Sequence, residues 1–216
     1  IPQAQNNLGK IYYEGKYIPR DINKAIHYYT LAANQNHRYS QYNLGIIYLD
    51  GIYISRDINK VIHYLTLAAN QNHRYAQCDL GDIYLEGKYI SRDINKAIYY
   101  LTLAANQNIP QAQYNLGNIY HEGKYIPRDI NKAIYYLTLA ANQNIPQAQY
   151  NLGNIYHEGK YISRDINKVI HYYSLAANQN FPHAQNNLGS IYLIGEYIPR
   201  DINKAIHYYT LAANQN

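Results

Sequence analysis

The chain of 216 residues contains no methionine, no tryptophan, one phenylalanine and one cysteine. A lone cysteine, Cys78, excludes an internal disulfide framework and any cysteine-based zinc cage. No apolar run approaches the roughly 18 residues that a membrane-spanning helix needs, so no membrane insertion is expected. No positively charged start followed by an apolar stretch marks a secretory signal. The lack of methionine extends to position 1, and both ends fall on repeat boundaries. The chain therefore reads as a segment of a longer protein, with targeting signals and partner domains elsewhere. No Asn-x-Ser/Thr sequon occurs, and with the unpaired cysteine this leans toward an expected cytoplasmic location.

What is present is apolar and tyrosine-rich. Hydrophobic residues make up 47% of the chain and charged residues 15%, a core-forming composition. Tyrosine occurs 29 times. A net charge of +5 is compatible with an anionic partner but does not single one out.

Arg-Asp-Ile-Asn-Lys begins at Arg20, Arg56, Arg92, Arg128, Arg164 and Arg200, and Leu-Ala-Ala-Asn-Gln-Asn closes every unit. Six 36-residue units fill the chain, with boundaries 1–36, 37–72, 73–108, 109–144, 145–180 and 181–216, so one repeat array spans 1–216. Two helices fit each unit, the first over Gln3–Glu14 and the second over Ile22–Ala33. On the first, Ala4, Leu8, Ile11 and Tyr12 share an arc of about 100°. Pro2, Pro110, Pro146 and Pro182 suit a first helical turn, Gly15 breaks the helix, and Asp21 is placed to cap the second. Asn34–Asn36 tolerate the left-handed exit from the second helix. The short linker forces the pair antiparallel. One hairpin cannot bury its apolar face alone, so neighbours must stack. Tyr28 and Leu31 point away from their own partner helix and are expected to contact the adjacent repeat.

These residues resemble the Sel1-like repeat, a relative of the tetratricopeptide repeat. The first unit supplies Ala4, Leu8, Gly9, Tyr12, Gly15, Ile18, Asp21, Lys24, Ala25, Tyr28, Ala32 and Ala33 at the family's offsets, and the other units follow over the whole chain. Two departures stand out. Tyr17 and its equivalents occupy a position that is often glycine, and each unit closes on Asn rather than Gly. The resemblance implies an all-α, right-handed superhelical solenoid of antiparallel α-hairpins with a concave groove. It also implies a scaffold or adaptor role.

The copies differ chiefly at the third, sixth, tenth and thirteenth positions, which span about 80° of the first helix opposite its core stripe. This face is expected to turn from the core and line the groove. Tyr39, Tyr42, Leu49, Tyr75, Leu85 and Tyr114 form its centre, and Asp82, His121, Tyr150 and His157 extend it. Tyrosine combines a large contact area with few rotors, which suits a protein or peptide ligand.

Catalysis is not expected. Six copies of one Arg-Asp pair argue for structure, and no nucleophile–base arrangement, phosphate loop or HExxH occurs. No cofactor is implied. His27, His63, His171 and His207 recur one repeat apart, on the order of 10 Å, too far for shared metal ligation. Two alternatives accompany the scaffold reading. One is a regulatory array serving a catalytic domain, such as a kinase, outside this segment. The other is nucleic-acid binding through the ridge of Lys16, Arg20, Lys24 and Tyr17, which the adaptor reading disfavours. Neither end carries a polar capping repeat, so end-to-end self-association is expected.

Overall fold

A computed structural model describes residues 1–215. Among them are twelve α-helices and no strand. They form two compact units, Ile1–Ile109 and the segment from Pro110 onward. The first holds α1 (Pro2–Glu14), α2 (Ile22–Ala33), α3 (Arg38–Asp50), α4 (Ile58–Asn70), α5 (Arg74–Glu86) and α6 (Ile94–Asn106). The second holds α7 (Pro110–Glu122), α8 (Ile130–Asn142), α9 (Pro146–Glu158), α10 (Ile166–Ala177), α11 (Pro182–Ile194) and α12 (Ile202–Ala213). Within each unit, hairpins pack consecutively, every first helix lying against its own second helix and, in the second and third hairpins, against the second helix of the hairpin before it.

The helix ends follow the local chemistry. Asp21 accepts a bond from the Lys24 amide at 2.9 Å, and the five equivalent aspartates repeat this cap. Gly15 ends α1 at φ 64°, in the left-handed region that a side chain disfavours. At the close of the first five units Asn stands in the same region, with φ between 57° (Asn72) and 62° (Asn144). Asparagine tolerates this conformation better than other non-glycine residues, so it serves where the family uses glycine.

Packing divides between two interfaces. Inside a hairpin, a mid-helix glycine lets the second helix come close: a Cβ on Gly117 would lie 2.6 Å from Leu137 Cγ. Between hairpins, Val61, Leu65, Ala68 and Ala69 of α4 bury against Ala76, Leu80 and Ile83 of α5. In the second unit Leu137, Ala140 and Ala141 of α8 bury against Ala148, Leu152 and Ile155 of α9.

One expectation is corrected. Tyr28 turns onto its own hairpin, its ring parallel to that of Tyr12 at 5.7 Å, and every later repeat shows the same pair. The ring is long enough to cross the hairpin interface, which a Cα-based angular assignment ignores. It still reaches a neighbour: the Tyr100 hydroxyl hydrogen-bonds Thr66 of the previous repeat.

A glutamine network also emerges that composition did not announce. The fully buried Gln41 donates to the Ala33 carbonyl at 3.2 Å and accepts from Gln71 at 2.7 Å. It thereby satisfies a helix-end carbonyl of the preceding repeat and holds the end of its own second helix. Gln77, Gln149 and Gln185 repeat both bonds.

The glycine contact gives a test. Replacing Gly117 by Ala should destabilise the chain by about 1 kcal/mol in urea unfolding, because overpacking against Leu137 outweighs the helix-propensity gain. A gain in stability would show that the two helices are free to separate.

Candidate functional site

In the first unit the variable stripe runs along α1, α3 and α5. Tyr39 and Tyr75, at the third position, are 49% and 47% exposed. Tyr42 and Leu49 are half-buried and, with Ile46, pack against the core cluster between α4 and α5. Cys78 is buried, while Asp82 and Leu85 are half-buried. In the second unit Tyr114, His121, Tyr150 and His157 are all half-buried. Tyr150 lies 5.2 Å from the Phe181 ring and 5.7 Å from the Tyr173 ring.

The expectation that this whole face turns from the core is therefore corrected. Only the third position is exposed in every repeat. Successive first helices lie side by side, so the sixth position wedges between them: Tyr42 of α3 stacks on His73 at the start of α5, 4.4 Å between rings. Isolated-helix geometry shows which residues share a face but not that a neighbouring copy half-covers it.

Two cavities open along this seam. One of about 100 Å³ is lined by Tyr13 and Tyr29 of the first repeat and Tyr42, Asn43, Ile46 and Ile47 of the second. The other, about 310 Å³, lies between the fifth and sixth repeats against Asn154, His157, Tyr173, Asn187 and Ser190. Both occur where the residue opposite the mid-helix glycine is tyrosine, Tyr29 or Tyr173, and not leucine as in Leu65, Leu101 and Leu137. That Tyr/Leu alternation was the sequence signal for the cavities; Tyr29 otherwise reads as a constant core position.

Repeats two and three also differ at their entry, where His-Arg-Tyr replaces Ile-Pro-Gln. Here the imidazole caps the helix. His73 Nδ1 accepts from the Ala76 amide at 3.2 Å, and His37 Nδ1 from Ser40 at 3.3 Å. The His73 ring lies within 6.1 Å of Tyr39, Tyr42 and Tyr75, and Arg38 and Arg74 extend over Tyr39 and Tyr75 at about 5 Å. Burial, reinforced by Arg38 and Arg74, pushes His73 down to about 4.

Asp79 stands where the other five copies have asparagine. Three of those asparagines bond the preceding repeat: Asn151 donates to Asn118 at 2.8 Å, and Asn43 and Asn187 bond Tyr29 and Tyr173. The counterparts of Asn118 and Tyr29 for Asp79 are Ile46 and Leu65. One carboxylate oxygen receives the Tyr42 hydroxyl, and buried Oδ2 has no hydrogen-bond partner. Burial pushes this acid up to about 6. Burial, with Asp82 and Asp79 nearby, raises the Cys78 thiol and keeps it un-ionised and unreactive.

The basic ridge is mostly engaged in structure. Arg56 donates to the Leu49 carbonyl at 2.6 Å and lies 4.5 Å from the centre of the Tyr89 ring in the next repeat. Arg20 over Tyr53, Arg128 over Tyr161 and Arg164 over Tyr197 repeat the stack. Tyrosine at the family's usual glycine position is thus a platform for the preceding arginine. Lys60 pairs with Asp57 at 3.6 Å and sits over Tyr48. His27, His63, His171 and His207 are exposed. Among the described residues, no three His, Cys, Asp or Glu side chains gather as a metal site.

The Sel1 repeat family matches six consecutive segments, residues 2–37, 38–73, 74–109, 110–145, 146–181 and 182–216. The chain belongs to the Sel1 repeat family. It is similar to c5321, a protective antigen present in uropathogenic Escherichia coli strains, at 27% identity and a TM-score of 0.93, covering 100% of this chain and 46% of that one. The chain thus spans less than half the length of that relative. A Sel1 repeat protein from Oxalobacter formigenes is 30% identical with a TM-score of 0.79, covering 100% of this chain and 89% of its own. The immunity protein PA5088 from Pseudomonas aeruginosa shares the fold at 20% identity and a TM-score of 0.51, over 96% of this chain and 82% of that one. No curated protein matches the sequence. Sel1 repeat proteins are generally non-catalytic interaction scaffolds. No helix among the described residues is long and apolar enough to cross a membrane.

His73 and Asp79 predict opposite pH responses. His73 favours folding fully above its ordinary 6.5, and that contribution is lost as pH falls toward about 4. Asp79 favours folding most below its ordinary 3.8, and that contribution is lost as pH rises through about 6. The two slopes offset each other over most of this window. Asp79→Asn should therefore raise stability by about 1 kcal/mol at pH 7.5 and make the chain lose stability on acidification from pH 6.5 to 4, read from urea midpoints. A profile unchanged from wild type would contradict the Asp79 assignment, and a variant that keeps its stability on acidification would contradict that of His73.

Proposed function

We propose that the chain is a non-catalytic scaffold that holds a peptide segment of a partner protein along the seam of its first helices. The observation that carries this is the division of labour among positions. Residues constant across the six copies are occupied in caps, cores, stacks and the glutamine network. Those that vary most gather along the seam, where half-exposed rings and two cavities lie. Tyr39 and Tyr75 offer rigid, amphipathic contact area with ring neighbours that fix their orientation, the form that interface anchors take. In the first unit Tyr42, Leu49 and Leu85 shape the floor and Asp82 supplies a polar contact; in the second, Tyr114 and Tyr150 shape it and His121 and His157 supply polar contacts. A regulatory array serving a catalytic domain elsewhere would use the same surface. We place the interaction in the cytoplasm, on the unpaired Cys78 and the absence of glycosylation sequons.

The test uses a partner recovered with the repeat chain and then purified. Substituting Tyr39 and Tyr75 together by Ala should weaken that partner at least tenfold while leaving the urea midpoint within experimental error, since both rings are half-exposed. Unchanged affinity would remove the seam from the interaction. A loss of binding by orders of magnitude between 50 and 200 mM salt would point to nucleic acid instead.

A further inference from the structure

The larger cavity between the fifth and sixth repeats has a chemical character of its own. We propose that it receives the cationic side chain, arginine or lysine, of a protein ligand; this rests on the scaffold reading and names what one point of the seam recognises. The cavity of about 310 Å³ is bordered by His157, Glu158, Tyr173, Ile194, Glu196 and Tyr197. A volume at the low end of the range for small ligands suits one extended side chain better than a whole cofactor.

Two sequence departures and one variable core position converge there. Four repeats carry lysine at the position of Glu196, namely Lys16, Lys88, Lys124 and Lys160, and Ile52 fills the second. The sixth repeat thus reverses the local charge at the cavity mouth, in a chain whose net charge is +5. Ile194 replaces the acidic residue found at that position in the other five copies, Glu14, Asp50, Glu86, Glu122 and Glu158. An apolar wall therefore stands where the aliphatic stem of a lysine or arginine would lie. Tyr173 stands, like Tyr29 and Tyr209, where the other three copies have leucine, and its hydroxyl donates to Asn154 at 2.6 Å while facing the cavity.

The carboxylates are held from different elements. Glu158 ends α9, and Glu196 lies in the linker after α11, where the Tyr197 hydroxyl hydrogen-bonds it. The nearby cation, Arg164, is already committed: it donates to the His157 carbonyl at 2.7 Å and to the Tyr197 hydroxyl, with its plane over the Tyr197 ring. Its charge is thus turned onto the helix end and the ring. A guest with a long apolar stem and a positive tip meets an apolar wall, then acceptors from two elements.

The probes are acetyl-Gly-Arg-Gly-amide and acetyl-Gly-Lys-Gly-amide, with acetyl-Gly-Glu-Gly-amide as the control. They are titrated into the whole chain while the amide resonances of Asn187, Ser190 and Ile194 are followed. Both basic peptides should produce saturable shifts with Kd on the order of millimolar, a reasonable value for one charged side chain. The acidic peptide should produce none. Glu196→Lys, which restores the residue of four other repeats on an exposed linker, should weaken binding at least tenfold. Tyr173→Leu, also the residue of other repeats, should weaken it several-fold. Absence of saturable shifts with both basic peptides, equal shifts with the acidic peptide, or unchanged affinity in Glu196→Lys would each overturn the proposal. The two readings fail separately: a partner that binds Glu196→Lys as well as wild type but is lost with the Tyr39/Tyr75 double substitution would remove the cation pocket and leave the scaffold standing.

Discussion

Everything in the molecule depends on the second helix of one hairpin being buried by the first helix of the next. The chain contains its own comparison. Leu44, preceded by a hairpin, is 0% exposed, whereas Leu8, its equivalent in the first repeat, is 38% exposed. The residue type and helix are the same; only the neighbour differs. Complete burial of such a side chain contributes roughly 1.5–3 kcal/mol, and each hairpin contact contains several. Glycine opposite Leu or Tyr inside the hairpin brings the two helices close enough to present one joint surface to the neighbour. The buried glutamine then satisfies the helix-end carbonyl that this contact covers.

That dependence explains the odd composition. Tyrosine stands in for the missing tryptophan and the scarce phenylalanine because its ring can do several jobs at once. Tyr12 and its equivalents stack on the second helix and lie under Lys24 and its equivalents. Tyr53, Tyr89, Tyr161 and Tyr197 lie under the preceding arginine. Tyr39 and Tyr75 lie half-exposed under Arg38 and Arg74, and they are the rings we propose for a ligand. The second and third repeats use a neutral imidazole as helix cap where others use proline, which places His73 among the rings of the seam. Fixed architecture and variable recognition thus share one residue type but separate by position.

The fold was legible because its signals are local and repeated. The 36-residue step, the glycine break and the Asp21 cap define the hairpin without reference to any neighbour. The exit asparagine likewise carries its own conformational reason. The candidate site was only half legible. Comparison of copies found the stripe containing Tyr39, Tyr75 and His157, because variation needs no geometry to be seen. It misjudged Tyr42 and Tyr114, whose burial comes from the next first helix, and it missed that the Tyr28 ring also stacks on the partner helix of its own hairpin. Gln41 was passed over because a polar residue on a helix reads as solvated until its acceptor, the Ala33 carbonyl, is placed beside it. Asp79 looks like a conservative exchange for asparagine; only the apolar counterparts Ile46 and Leu65 in the preceding repeat reveal its cost.

The central claim, that stability resides between repeats and not within them, is tested most directly by far-UV circular dichroism of two excised pieces, residues 37–72 and residues 37–108. The single hairpin lacks the α4–α5 interface and should be largely unstructured. The two-repeat piece regains that interface and should show substantial helicity and a cooperative urea transition. A single hairpin as helical and as resistant to urea, residue for residue, as the pair would contradict the account.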